Sequence, residues 1–595
     1  MQPTREILDK IGENSRNNKE EIFTRLYRYL LRPDLYFIAY QNLYANQGAA
    51  TKGVDNDTAD SFSIEKVESI IKMLKDESYT PKPVRRVYIN KKNSTKKRPL
   101  GIPTFTDKLV QEVLRMILES VYEPTFSRFS HGFRPNKSCH TALNSLKKEF
   151  TGVSWFIEGD IKGCFDNIDH HVLINIISSK IKDARLIKLI WKFLKGGYID
   201  NWQYNKTYSG CPQGGIISPL LSNIYLNELD KFAEKSAKEF FKPKDKVRTA
   251  EYAKLAANRD NTKVLLKTAT GQRKSELLKQ VKLLTAQLHK TPFTPKTDKV
   301  MKYIRYADDF IIGVKGTKDD CERIKQDFTA FVKDTLKMEL SEEKTLITHS
   351  SCIAKFLGYD VRVRRDQTLK PHGNHLSRTL NNKVELNIPF ADKVIPFLFS
   401  KMAIKQTVDG KITPVARKYL FRCTDLEIVS TFNSELRGLC NYYAIASNFT
   451  RLDYFAYLME YSCLKTLAGK HGSTSRKIIK KFSGGNGKWS IPYKTKKGLK
   501  YCGFAKFMEC KRATDYDDVI IPHSVRHANN RTTFDSRLSA EKCELCGKTD
   551  VPLEIHHVNK VKNLKGKQCW EIVMIAKKRK TLAVCKSCHY KIHHP

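Results

Sequence analysis

Predominantly apolar residues run from Val300 to Tyr306 and again from Phe310 to Val314, and only Ala307-Asp308-Asp309 stands between them. Two short apolar runs with so brief a break predict a tight β-hairpin that carries paired carboxylates at its tip. Upstream, Trp155-Phe156-Ile157 has the pattern of a buried strand, which ends in Gly159-Asp160 and then in a loop reaching Asp166. A lysine-rich interruption from about 233 to 299 precedes the hairpin. Within it Leu277, Val281, Leu284 and Leu288 recur at helical spacing, which predicts a helical insertion packed by one narrow apolar stripe. Beyond about residue 391 the pattern turns helical: Leu452, Phe455, Met459, Cys463 and Leu467 follow in steps of three and four and share one face. The borders drawn from these patterns are 1–365, mixed helix and strand with an N-terminal extension over 1–80; 385–482, helical; 484–540, basic and weakly periodic; and 541–595, a small cysteine-rich module. A multidomain α+β chain is expected.

Composition changes the picture in two ways. The 595 residues hold 106 Lys+Arg against 63 Asp+Glu, a formal net charge of +43, which suits a long polyanion as partner and predicts binding that weakens with salt. With no apolar run of about 18 residues and no N-terminal signal pattern, no membrane association is expected, and the expected place is the cytoplasm, with action at the nucleoid. Of the 15 cysteines, four form the two pairs Cys543-x-x-Cys546 and Cys585-x-x-Cys588, while the rest are scattered singly. That usage fits a reducing compartment and a metal rather than disulfides. Four thiolates so spaced can converge on one structural Zn2+, which would substitute for the core that a module this small lacks.

The acids carry the first candidate chemistry. Adjacent carboxylates on a turn repel each other, and a divalent cation relieves that repulsion while binding phosphates. Asp160 is the expected partner of Asp308, since two-metal phosphoryl transfer uses carboxylates from separate strands. An Asp-Asp pair alone is more often a solvated turn. The order of segments decides: Asp160, then Pro212-Gln213-Gly214-Gly215, the Asp308 hairpin, Leu340-Ser341-Glu342-Glu343-Lys344, and Phe356-Leu357-Gly358-Tyr359. This series resembles the palm of a reverse transcriptase. The resemblance implies a right-hand fingers-palm fold, Mg2+ on Asp160, Asp308 and Asp309, and deoxynucleoside triphosphates as substrates. It further implies Phe165 as the steric gate against a 2′-hydroxyl, Gln213 at the incoming nucleotide, and Lys91 and Arg98 on the triphosphate, with Lys92 or Lys97 able to replace one of them. Lys344 is similar to a lysine assigned as general acid to pyrophosphate.

Around the cysteine pairs lie Glu554-Ile555-His556-His557 and His589-x-x-x-His593, the latter spaced to place two imidazoles on one helix face. This resembles an HNH nuclease of the ββα-metal type. The resemblance implies His557 as general base, and His556, His589 and His593 as ligands of Mg2+ or Mn2+. Lys580-Thr581 stands where such motifs carry their central asparagine, so either Thr581 substitutes for it or the motif is rearranged.

With the segments from Phe23 to Tyr44, Lys97 to Pro103, His131-Gly132-Phe133-Arg134-Pro135, Leu436 to Tyr443 and Leu467 to His471, the whole chain resembles the multifunctional group II intron-encoded proteins. The resemblance implies that 385–482 is an α-helical thumb and maturase (X) domain, and that Arg437, Arg451, Lys470 and His471 lie on RNA. It implies that 484–540 binds DNA. The implied partners are the chain's own intron RNA and a double-stranded DNA target, and the family is compatible with a homodimer. The RNA would reverse-splice into one DNA strand, the HNH module would nick the other, and the polymerase would copy the intron from that primer. Two alternatives stay open: a stand-alone RNA-directed DNA polymerase in defence or repair, and a splicing factor that mainly folds RNA.

Overall fold

The computed structural model describes all residues except 1–3, 47, 91–96, 201–202, 244–246, 292, 295–297, 367, 369, 374, 378–380, 484–488, 496–497, 511–536, 538–539, 559–560, 578 and 595. The strands Val300–Tyr306 and Asp309–Lys315 pair antiparallel as a hairpin in which Tyr306 faces Asp309, so the loop is only Ala307-Asp308. Ala307 takes φ 56, the positive first position of a two-residue turn whose twist matches that of the strands. The strand Trp155–Asp160 joins this hairpin, and Ile347–His349 completes a four-stranded antiparallel sheet.

Both faces of the sheet are covered, which explains why its strands are apolar at successive positions rather than alternately. Ile157, Phe310 and Ile312 enter a core shared with the helices Phe105–Tyr122 and Ser218–Phe240. Their neighbours Phe156 and Ile311 enter a second core, with the helix Cys139–Glu149 and the helical region beyond residue 384. A further sheet, in the order Lys97–Ile102, Val84–Asn90, Tyr198–Asp200, Gln203–Asn205, lies against the Pro212 turn through Gly101 N–H donating to the Gln213 carbonyl at 2.7 Å.

The interruption expected from about 233 starts inside a helix: Ser218–Phe240 continues past Ala233, which is wholly buried. The insertion proper is the helix pair Ala250–Thr268 and Gly271–Lys290, closed at its base where Lys242 and Lys299 exchange backbone hydrogen bonds. Leu277, Val281 and Leu284 are half-buried and Leu288 is buried, the one-sided stripe that the spacing predicts.

The helices Asp425–Tyr442 and Leu452–Lys470 pack together, and all five residues of the expected apolar face, from Leu452 to Leu467, are buried. The region read as a weakly periodic connector over 484–540 is not uniform. Ser490–Thr495 and Gly498–Gly503 form a hairpin that lies on these helices, with Trp489, Ile491 and Phe504 in the second core. Asn433 ties it down, donating to the Gly503 carbonyl and accepting from Ala505 N–H.

In the C-terminal module the strands Leu553–His557 and Thr581–Cys585 pair antiparallel and the helix Lys586–His593 follows directly. A third strand, Phe62–Ser63, comes from the N-terminal region and pairs with Leu553–His557. Among the described residues no helix is long and apolar enough to cross a membrane.

Candidate catalytic sites

The strand register places Asp309, rather than Asp308, directly opposite Asp160. Asp308 sits at the loop position beside them, and its carbonyl accepts from Ile161 N–H at 3.3 Å. Burial, a hydrogen bond with Asp160 and the charges of Asp308 and Asp160 push Asp309 up to about 7. Burial, with the charge of Asp160, also raises Asp308, while Lys344 and Arg98 pull it down. The ammonium of Lys344 lies 2.7 Å from Asp160 and its own proton affinity is raised by that bond. Asp160, Asp308 and Asp309 form a partly buried hard oxygen donor set in which Asp308 and Asp309 hold their protons more tightly than usual, the chemistry a divalent cation fits.

The turn that carries the acids is held from behind. Arg305 is fully buried, donates through Nε and Nη2 to both oxygens of Asp230, and donates through Nη1 to the Ala307 carbonyl at 2.9 Å. Gly132 backs the same turn: a Cβ there would meet Ala307 N at 2.3 Å, so no side chain fits. Sequence reasoning missed Arg305 and Asp230, although an arginine inside an apolar strand is itself a signal that a buried partner exists.

Phe165 is half-buried, with its ring edge-on to Phe133 at 6.0 Å and its carbonyl accepting from Cys211 N–H. Gln213 donates to Asp166 at 3.3 Å, in the loop that follows Asp160. Arg98 is exposed on the strand Lys97–Ile102 and close enough for its charge to act on Asp308. Lys91 and Lys92 lie outside the described residues. Of the four basic residues expected on RNA, Arg437 is exposed with Glu509 at 3.8 Å, and Arg451 lies over the Phe390 ring. Lys470 and His471 are both engaged by Asp425, at 2.6 and 2.9 Å.

The C-terminal module holds two clusters. The thiols of Cys543, Cys546, Cys585 and Cys588 lie within 4.8 Å of one another. Burial raises Cys543, but backbone N–H groups of Cys546, Cys585 and Leu545 outweigh it and bring the thiol down to about 6, toward the thiolate that a zinc ligand needs. The second cluster is His556, His589 and His593 with Asp60, which sequence reasoning did not assign. Both ring nitrogens of His556 are buried without a hydrogen bond, an arrangement that a metal would satisfy. Burial opposes charge on His589, yet Asp60 and Glu554 together raise it to about 9. His557 is not brought into this cluster. Successive residues of a strand face opposite ways, and its Nε2 lies 3.0 Å from the Tyr44 carbonyl. Thr581 stands opposite His557 across the strands, buried, with Arg537 donating to its hydroxyl.

Residues 89–253 match the family described as reverse transcriptase (RNA-dependent DNA polymerase), 381–518 match type II intron maturase, and 543–589 match AI2M/AI1M-like HNH endonuclease. The group II intron-encoded protein LtrA of Lactococcus lactis subsp. cremoris is 57% identical over 596 residues, covering 100% of both chains. The putative COX1/OXI3 intron 2 protein of Saccharomyces cerevisiae is 33% identical across 98% of this chain and 68% of that one. An uncharacterized 91 kDa protein in the cob intron of Schizosaccharomyces pombe is 35% identical across 98% of this chain and 72% of its own length.

Proposed function

Since the chain belongs to the group II intron-encoded proteins that join a reverse transcriptase, an intron maturase and an HNH endonuclease, we propose that its three sites serve one intron RNA and one double-stranded DNA target in turn. The chain is an RNA-directed DNA polymerase and a DNA endonuclease. In our reading the N-terminal extension over 1–80 and the sheet around Lys97–Ile102 are fingers, and the acid sheet up to residue 365 is the palm. Residues 385–482 are thumb and maturase, 484–540 contact DNA, and 541–595 form the nuclease.

The observation that carries the polymerase assignment is the cross-strand pairing of Asp160 with Asp309 beside Asp308. These three carboxylates would hold Mg2+, which supplies the positive charge that acidifies the primer 3′-hydroxyl and steadies the departing pyrophosphate. Lys344 donates to Asp160 and is placed to approach the triphosphate. Phe165 presents its ring where a sugar would lie and excludes a 2′-hydroxyl. Arg98 brings charge to the phosphates, and Gln213, anchored on Asp166, orients the base pair.

In the C-terminal module Cys543, Cys546, Cys585 and Cys588 would hold a structural Zn2+, which fixes the fold without chemistry. His556, His589 and His593 would hold Mg2+ or Mn2+, which stabilises charge on the scissile phosphate. His557 is the general base in this reading, with Nδ1 as the accepting nitrogen while Nε2–H donates to the Tyr44 carbonyl. The net charge of +43 suits both nucleic acids.

The test is to purify the protein from its host at low salt and sequence the RNA that accompanies it. One structured RNA that encodes this reading frame is the expected result. A broad mixture that salt removes would favour a free-standing polymerase instead.

A further inference from the structure

Tyr44, the stretch from Asp60 to Ser63, and Glu65 of the N-terminal region lie directly on the nuclease module. Phe62 pairs with Ile555 and Ser63 with Glu554 in antiparallel register. Ser61 N–H donates to the Ile555 carbonyl at 2.9 Å, and the Lys586 ammonium meets the Glu65 carboxylate at 2.7 Å. Phe62 is wholly buried, its ring 4.2 Å from that of Tyr40. The contact is therefore a built interface with backbone pairing, an ion pair, and a buried core that Phe62 shares with Leu553 and Ile555 of the module.

Two residues of this docked segment fall on the groups that cleavage needs. Asp60 directs its Oδ2 to His593 Nε2 at 2.7 Å and its Oδ1 to His589 Nε2 at 3.1 Å and His556 Nδ1 at 3.4 Å. One ligand atom from each of the four residues lies within 4.8 Å of all the others, and a shift of a few tenths of an ångström brings them within the roughly 4.2 Å that bonds of about 2.1 Å to one ion allow. The second residue is Tyr44. Its carbonyl can only accept, so His557 Nε2 carries a hydrogen and points its N–H at Tyr44, which leaves Nδ1 as the ring nitrogen with the lone pair. The backbone N–H of His557 is also taken, by Asp60 Oδ1 at 2.8 Å.

Resting on the assignment of His556, His589 and His593 as ligands of the nuclease ion, we propose that Asp60 is a fourth ligand, donated across the domain boundary, and that the docked segment caps the nuclease. A carboxylate on the ion competes with the anionic phosphate for the same charge and the same face. Three imidazoles leave the full double charge of the cation to attract DNA, whereas the added Asp60 halves it. With Asp60 on the ion, the docked module holds back the charge that would draw the scissile phosphate, and it cleaves once this segment withdraws. The same docking ties the nuclease to the polymerase region until a target engages the complex.

The test uses the full-length chain with Asp308→Asn and Asp309→Asn, so that Mn2+ titration followed by electron paramagnetic resonance counts the nuclease ion alone. His589→Ala should remove that binding; if it does not, the underlying ligand assignment fails. With that control in place, Asp60→Ala and the isosteric Asp60→Asn should each weaken Mn2+ binding by about tenfold. At saturating Mn2+, both should raise nicking of duplex DNA by the RNA-free protein severalfold. Unchanged Mn2+ affinity in both variants overturns Asp60 as a ligand. Weaker affinity accompanied by less nicking at saturation overturns the cap, because Asp60 would then serve cleavage itself.

Discussion

Asp160 and Asp309 stand opposite each other on neighbouring antiparallel strands, and a slip of one residue in that register would turn Asp160 to the other face of the sheet. The site thus depends on strand pairing as much as on the acids, with Asp308 carried alongside by the two-residue turn. Asp308→Asn is expected to lower primer extension on an RNA template by about a thousandfold, the worth of several kcal/mol of charge stabilisation. Duplex nicking by the same variant should persist. Extension equal to that of the unaltered chain would reject the site.

Arg305 and Asp230 form a wholly buried ion pair behind that turn. Asp230→Ala would leave the guanidinium uncompensated and should cost about 3–5 kcal/mol. Urea unfolding measures the loss, and a change below about 1 kcal/mol would mean that the pair is dispensable.

His131 is fully buried, its backbone N–H donating to the Arg305 carbonyl, and burial together with the charges of Lys137, Arg134 and Arg305 pushes it down to about 3. The unfolded chain takes up this proton below about 6.5 and the folded chain resists until about 3, so stability is full above 6.5 and is lost as pH falls through that window. At pH 5 the loss should reach about 2 kcal/mol, at 1.4 kcal/mol for each pH unit. His131→Gln should remove that part of the acid sensitivity. Equal losses between pH 7 and pH 5 in both proteins would show that another group titrates.

Phe165→Ala should admit ribonucleotides, with the deoxy-over-ribo ratio of kcat/KM falling by tenfold or more, roughly the 1.4 kcal/mol or more of a lost steric clash. Competition assays with matched nucleotide pairs give that ratio. Discrimination that stays the same would remove Phe165 from the gate.

Cys546→Ser should strip zinc from the C-terminal module and abolish nicking while primer extension in Mg2+ continues, since this module's fold leans on its metal. Native mass spectrometry counts the ion. Full nicking in a zinc-free chain would contradict a structural role for the four thiols.

Short-range pattern was enough to locate the acidic hairpin, the strand ending in Asp160, the stripe from Leu277 to Leu288, and the buried face from Leu452 to Leu467. Each is a periodicity or spacing that a few neighbouring residues fix. The cysteine pairs and the histidines of the last helix were legible for the same reason. Other features were not. Lys470 and His471 look like free cations along the chain but are held by Asp425, which lies 45 and 46 residues away. Trp489, Ile491 and Phe504 have no clear period of their own and gain an apolar face only because the helices beneath them supply one.

Tertiary structure alone decided which acid faces Asp160, why an arginine can sit inside a strand, and what meets the nuclease histidines. Asp60 and His557 are 497 residues apart, and nothing near either one announces the other. Local preferences act over one turn of helix or a few residues of strand, and these set the elements and their chemistry from sequence alone. Register and docking depend on surfaces that exist only once those elements have packed, so the partner of each charged group is a property of the folded chain.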